Sequence, residues 1–144
     1  MKRQQISYDS IVEDIKQCVQ TFQEYDCIVG IARGGVIPAT LFAYQLNLKD
    51  IYITQLSSYD KDNKHTTLFE KVPLNISDIL NKKVLFVDDI SDTGQTLNYI
   101  KQTYSKYTMD SKFYTCIYKV KSIFKPDYYG KIVNEDTWLD FPWE

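Results

Sequence analysis

Asp88, Asp89 and Asp92 follow directly on the apolar run Val84-Leu85-Phe86-Val87 and directly precede Thr93-Gly94-Gln95-Thr96. Carboxylates at the tip of a strand accept hydrogen bonds from hydroxyl groups or hold a hard cation. The small and hydroxylated residues behind them open into a helical pattern. A helix N-terminus offers unpaired N–H groups and partial positive charge to a phosphate. Acid tip and helix opening together suit a phosphorylated sugar. The competing reading is a solvated acidic loop in which Asp92 merely caps the helix. Three acids in one tight turn repel each other unless a cation or a polyol offsets them, which weighs against it.

Three further segments carry candidate chemistry. In Gly30-Ile31-Ala32-Arg33-Gly34-Gly35-Val36-Ile37-Pro38, a short apolar stretch breaks at Arg33. Glycines there let the backbone approach an anion, and Arg33 presents a charged fork. Ser57-Ser58-Tyr59-Asp60-Lys61-Asp62-Asn63 opens a long polar segment. Lys119 lies 19 residues before Trp138, which stands in the frame Asp136-Thr137-Trp138-Leu139-Asp140-Phe141-Pro142-Trp143. An ammonium and an aromatic face could seat a flat, oxygen-bearing heterocycle. Lys121 and Lys125 rival Lys119, which is preferred on spacing.

The elements that must position these residues alternate. Ile11, Ile15, Cys18, Val19 and Phe22 recur at helical spacing, so the pattern predicts a helix over 8–24, with Ser10 and Glu13 as a capping box. Strands are predicted at 27–31, 51–56, 83–88 and 113–118, with helices over 37–46, Pro38 in its first turn, and 95–106. Residues 58–78 read as an irregular polar loop, long enough to be a functional lid. Strand–helix alternation argues for an α/β protein whose parallel sheet binds ligands at the carboxyl ends of its strands.

The 144 residues fit one domain, and the formal net charge of −2 offers no general attraction to nucleic acid or to an anionic membrane. No apolar run approaches the roughly 20 residues of a bilayer span, and the N-terminus lacks the apolar block of a signal peptide. Cys18, Cys27 and Cys116 are odd in number and far apart, as expected of reduced, buried thiols in a cytoplasmic protein. His65 is the only histidine and reads as an exposed loop residue. Twelve tyrosines leave room for core and subunit contacts.

Taken together, these segments resemble the type I phosphoribosyltransferases, and most closely their 6-oxopurine, bacterial xanthine–guanine branch. Residues 84–97 are similar to the signature for phosphoribosyl diphosphate (PRPP). Arg33-Gly34-Gly35 is similar to the pyrophosphate loop, with Ala32 where the nearest relatives carry Ser; this loop often contains a non-proline cis peptide. Ser58-Tyr59 looks like the lid dipeptide, and Lys119 with the Trp138 frame looks like the base pocket. The resemblance implies the type I fold, a mostly parallel sheet flanked by helices, with a lid at about 58–78 and a C-terminal hood at about 120–144.

The resemblance also implies roles. Asp88 and Asp89 hold the ribose hydroxyls, directly or through Mg²⁺. Asp92 receives the purine N7 proton. Thr93, Gly94, Gln95 and Thr96 cradle the 5′-phosphate, Gln95 standing where relatives often have Lys or Gly. Arg33, Gly34 and Gly35 bind the diphosphate, and Ser58 and Tyr59 close over the reacting centre. Lys119 donates to the 6-oxo group, Trp138 stacks on the ring, and the carbonyls of Trp138 and Leu139 accept from its N2 side. The implied reaction is salvage of a 6-oxopurine with PRPP, releasing pyrophosphate, in a homodimer or homotetramer. Two alternatives are a PRPP-sensing regulator on the same fold and a phosphoribosyltransferase for another base.

Overall fold

The computed structural model describes residues 2–61, 65–134 and 137–144. In chain order its elements are β1 (Lys2–Gln5), α1 (Tyr8–Val19), β2 (Cys27–Ala32), α2 (Val36–Leu46), β3 (Ile51–Lys61), β4 (His65–Val72), α3 (Ile76–Ile79), β5 (Lys83–Ser91), α4 (Gln95–Tyr104), β6 (Asp110–Lys119), β7 (Tyr128–Val133) and β8 (Thr137–Asp140). A six-stranded sheet runs β4-β3-β2-β5-β6-β7, and β1 pairs separately with β8. All pairings in the large sheet are parallel except β3 with β4.

Side chains alternate across the central strands, so each strand feeds two cores. Ile28, Leu85, Val87, Tyr114 and Cys116 pack against Ile11 and Ile15 of α1 and Ala39 and Phe42 of α2. Their neighbours Val29, Ile31, Val84, Phe86 and Phe113 pack on the other side against Ile79 of α3 and Leu97, Ile100 and Tyr104 of α4. Helices therefore cover both faces, and the strands are apolar along most of their length.

Several sequence expectations need correction. The first helix ends at Val19, not 24, and its cap is Ser7, whose Oγ accepts the Ser10 N–H at 3.1 Å; Ser10 is the donor. Phe22 lies beyond the helix, yet still reaches the core by stacking on Phe42 and meeting Tyr25 and Tyr128. Residues 58–78 do not form an irregular loop. Most of them extend β3 and build β4 as an antiparallel hairpin, followed by the short α3. The last pair between β2 and β3 is Ala32 with Gln55. Past that point the hairpin arm has no β2 to back it, so its sequence carries no apolar alternation. The hood is also smaller than 120–144, because β7 is an edge strand of the main sheet.

The polar strand β1 pairs with β8 along its four residues, and Arg3 adds a guanidinium fork on Asp140 at 2.7 and 3.0 Å. Cys27 and Cys116 are buried and Cys18 is half-buried, all as free thiols. Burial pushes the Cys27 thiol up to about 11, which makes it a poor nucleophile. The side chain of His65 and the residues Asp62 and Asn63 lie outside the described residues.

Candidate active site

After β2 the chain turns towards β3 and β4; after β5 it turns the other way, towards β6 and β7. The direction reverses between β2 and β5, and a crevice opens at that point in such sheets. The carboxyl end of β2 delivers Arg33, Gly34 and Gly35. The end of β5 delivers Asp88 and Asp89, and the end of its neighbour β6 delivers Lys119. Residues far apart in sequence thus meet because three adjacent strands point the same way.

The two β-ends are in close contact. A Cβ on Gly34 would overlap the Asp89 carboxylate, and one on Gly35 would lie 2.7 Å from the Ile31 carbonyl oxygen and 2.9 Å from the Asp88 Cα. Only glycines allow the Arg33 loop to lie against the acids. The Ala32–Arg33 peptide in this loop is cis. Asp88 Oδ1 accepts the Asp89 N–H at 2.8 Å. Burial, followed by the Asp89 charge, pushes the Asp88 carboxyl well above the usual carboxylate range, and burial pushes Asp89 up as well.

Asp92 does not cap α4. The cap position is Gly94, at φ +88°, and the Thr93 hydroxyl accepts the Gln95 N–H at 3.3 Å. The loop 91–94 is fastened to the segment after β6: Thr93 O accepts the Ile123 N–H at 2.9 Å, and Ser91 Oγ donates to Phe124 O at 2.8 Å. A Cβ on Gly94 would lie 2.6 Å from the Phe124 nitrogen. Asp92 is left to face the end of β6. Its Oδ1 lies 3.4 Å from Lys119 Nζ and 3.9 Å from Lys121 Nζ. That oxygen is covered from solvent and, among the described residues, accepts no hydrogen bond. Lys119 is nearly buried, whereas Lys121 is half-exposed.

A cleft of about 480 Å³ beside the Arg33 loop is lined by Arg33, Gly34, Asp89, Trp143 and Glu144. Glu144 escaped the sequence reading, although the Pro142-Trp143 step beside it was visible. Its Oε1 accepts the Phe141 N–H at 2.8 Å, which folds the last turn back towards Asp89.

These features have a counterpart in one sequence family: the profile of the phosphoribosyl transferase domain matches residues 1–144. The chain belongs to the phosphoribosyltransferases. It is 28% identical over 122 residues to a xanthine-guanine phosphoribosyltransferase of Idiomarina loihiensis, covering 85% of this chain and 73% of that protein. The purine phosphoribosyltransferase of Pyrococcus horikoshii superposes with a TM-score of 0.87 at 27% identity, covering 100% of this chain and 95% of that one. The Helicobacter pylori xanthine-guanine-hypoxanthine phosphoribosyltransferase gives 0.81 at 25% identity, covering 99% and 94%.

Within this phosphoribosyltransferase, the remaining candidates lie on β8 and on the β3 arm. Trp138 stands on β8 opposite Arg3 with 54% of its surface exposed, while Leu139 beside it is buried. An exposed indole on a short, well-anchored strand is free to stack. Ser58 and Tyr59 are not gathered with the acids. They lie on the β3 arm, where the Tyr59 ring is 5.9 Å from Phe69.

Proposed function

We propose that this phosphoribosyltransferase joins a 6-oxopurine to PRPP, giving a nucleoside 5′-monophosphate and pyrophosphate. The observation that carries this reading is the placement of Asp92. Its Oδ1, which accepts no hydrogen bond among the described residues, faces the Lys119 ammonium at 3.4 Å, three residues on from Asp89. The residues assigned to the sugar and those assigned to the base thus meet through one short segment, 88–92, and its ion pair with Lys119. The residues 1–144 act as one catalytic domain.

In the reaction, the bond from C1′ to the diphosphate oxygen breaks and a bond from C1′ to purine N9 forms. Asp88 and Asp89 accept hydrogen bonds from the ribose 2′ and 3′ hydroxyls. Thr93, Gly94, Gln95 and Thr96 bind the 5′-phosphate at the start of α4. Arg33, with the backbone of Gly34 and Gly35, takes up the charge that gathers on the departing diphosphate. Asp92 receives the N7 proton as N9 attacks, and Lys119 donates to the 6-oxo oxygen. Trp138 stacks on the ring, and the carbonyls of Trp138 and Leu139 accept from its N2 side. Ser58 and Tyr59 come over the centre and exclude water.

Mg²⁺ fits the acid pair. Burial pushes both carboxyls up, neither forms a salt bridge among the described residues, and a divalent cation would supply a counter-charge. Among the described residues no three Asp, Glu, His or Cys side chains form a ready-made cage, and Mg²⁺ is commonly held by one or two carboxylates with substrate phosphates and water. Asp89 and Asp88 would hold the ion, whose charge when bound stabilises the leaving diphosphate.

The reading is tested by incubating the protein with Mg²⁺, PRPP and guanine, xanthine, hypoxanthine or adenine in turn, following nucleotide absorbance. Turnover with at least one oxo base and none with adenine is expected. No nucleotide from any oxo base would overturn the reading. Lys119→Ala is expected to raise the purine KM about 10- to 100-fold, the loss of one charged hydrogen bond, and to leave the PRPP KM within about twofold. Equal damage to both constants contradicts the lysine's role.

We further propose that the enzyme works in the cytoplasm as a homo-oligomer, without a nucleic-acid or membrane partner. No helix of the described residues is long and apolar enough to cross a membrane. The α2 sequence is apolar almost all round, a composition suited to a covered helix, yet its Tyr44 is 82% exposed. Sedimentation of a single 16.9 kDa species at micromolar concentration would refute the oligomer.

A further inference from the structure

Tyr104 is the last residue of α4, and only 2% of its surface is exposed. Its hydroxyl donates to Glu70 Oε1 at 2.5 Å and accepts the Leu74 N–H at 3.0 Å. On the adjacent strand, Thr54 Oγ1 donates to the Val72 carbonyl at 2.8 Å. Glu70, Val72 and Leu74 are alternate residues at the base of the hairpin, so that base is fastened to α4 and to β3 within one turn of chain.

The pairing of β3 with β4 changes register at the same place. Gln55 faces Val72 but Leu56 faces Glu70, so Lys71 is an extra residue. Such a bulge re-aims the strand beyond it. Directly past it come Ser57, Ser58 and Tyr59, on an arm with no β2 behind it. Higher up, a groove of about 380 Å³ separates Thr67 and Leu68 of β4 from Gln95, Asn98 and Tyr99 of α4. Among the described residues no hydrogen bond crosses that groove. The Tyr104–Glu70 bond at the bulge therefore sets the direction of the arm relative to α4, and the other end of α4 is the Gly94 turn.

We propose that Tyr104, acting through Glu70, is a positioning residue that aims the Ser58–Tyr59 arm at the ribosyl centre. It touches no substrate. This inference rests on the transfer reaction proposed above and adds a residue to it. Its signature is leakage. With a misdirected arm, water attacks C1′ in place of the purine: the C1′–O bond to diphosphate breaks with its electron pair, water oxygen forms the new bond to C1′, and its proton goes to solvent. The products are ribose 5-phosphate and pyrophosphate.

The test compares wild type with Tyr104→Phe, Glu70→Leu and Glu70→Gln. It measures melting temperature, kcat, the KM of each substrate and the share of PRPP lost to water. Tyr104→Phe and Glu70→Leu are expected to lower kcat about 10- to 100-fold, the scale of a remote change that misplaces a catalytic group. They should raise the hydrolysed share several-fold while the PRPP KM stays within about twofold. Glu70→Gln keeps an acceptor for the tyrosine hydroxyl and should restore both values. If either of the first two variants keeps wild-type kcat and hydrolysed share while only its melting temperature falls, the residue is structural and the proposal is overturned. Should one of them fail to fold, the other with the Glu70→Gln rescue still decides. A wild type that forms no nucleotide overturns the transfer reading itself, and this inference with it.

Discussion

Asp92→Asn is expected to lose a factor of about 10²–10⁴ in kcat, the usual contribution of one positioned acid or base, with fold and PRPP affinity intact. The amide keeps the shape of the carboxylate and removes its ability to receive the N7 proton. The structural cost is small, because among the described residues Oδ1 accepts no hydrogen bond and its salt-bridge partners are the Lys119 and Lys121 ammoniums, the latter half-exposed. Losing that counter-charge next to the nearly buried Lys119 should also shift the purine KM. Steady-state rates, calorimetric binding of PRPP and a melting curve check the three parts separately. A variant with near-normal kcat would remove Asp92 from the proton path.

Asp88→Asn is expected to separate stability from function. A neutral amide accepts a ribose hydroxyl less strongly than a carboxylate, so PRPP binding should weaken about 10- to 100-fold, one charge-assisted hydrogen bond. The unliganded protein should become more stable. Burial and the Asp89 charge raise the Asp88 carboxyl above its unfolded value, so the folded chain binds the proton more tightly than the unfolded chain. Stability is then fully present below the ordinary carboxylate range and falls as pH rises towards the raised value. An amide has no proton to lose. The variant should therefore gain about 1 kcal/mol near neutral pH, a rise of about 3 °C in Tm for a chain of this size, and its stability should vary less with pH over that window. The Asp89 N–H keeps an acceptor in Asn Oδ1, so no new unpaired group offsets the gain. A lower Tm, or unchanged PRPP affinity, would contradict the assignment.

The parts of this protein legible in its sequence are those where local chemistry and burial act together. Apolar runs at 27–31, 83–88 and 113–118 gave strands, because those strands are covered on both faces. The acid tip and the Arg33 loop were visible because they end such runs. The hairpin was not, since past Gln55 β3 leaves β2 and pairs with β4 alone, outside the apolar core that patterns the central strands. The pairing of β1 with β8 was hidden for a similar reason: four exposed polar residues pair with a strand at the opposite end of the chain, where the Arg3–Asp140 fork joins them. The same distance concealed Glu144 at the cleft. Lys119 could be chosen over Lys121 on spacing, but both ammoniums reach Asp92, and only the fastening of loop 91–94 to the segment after β6 brings them there.

The most direct measurement is a crystal structure of the protein with guanosine 5′-monophosphate. The expected result has the ribose hydroxyls on Asp88 and Asp89, the phosphate on the amides of Thr93–Thr96, and the guanine 6-oxo group at Lys119 with its ring against Trp138. A nucleotide whose sugar lies away from Asp88 and Asp89, or whose base points away from Lys119, would contradict the site.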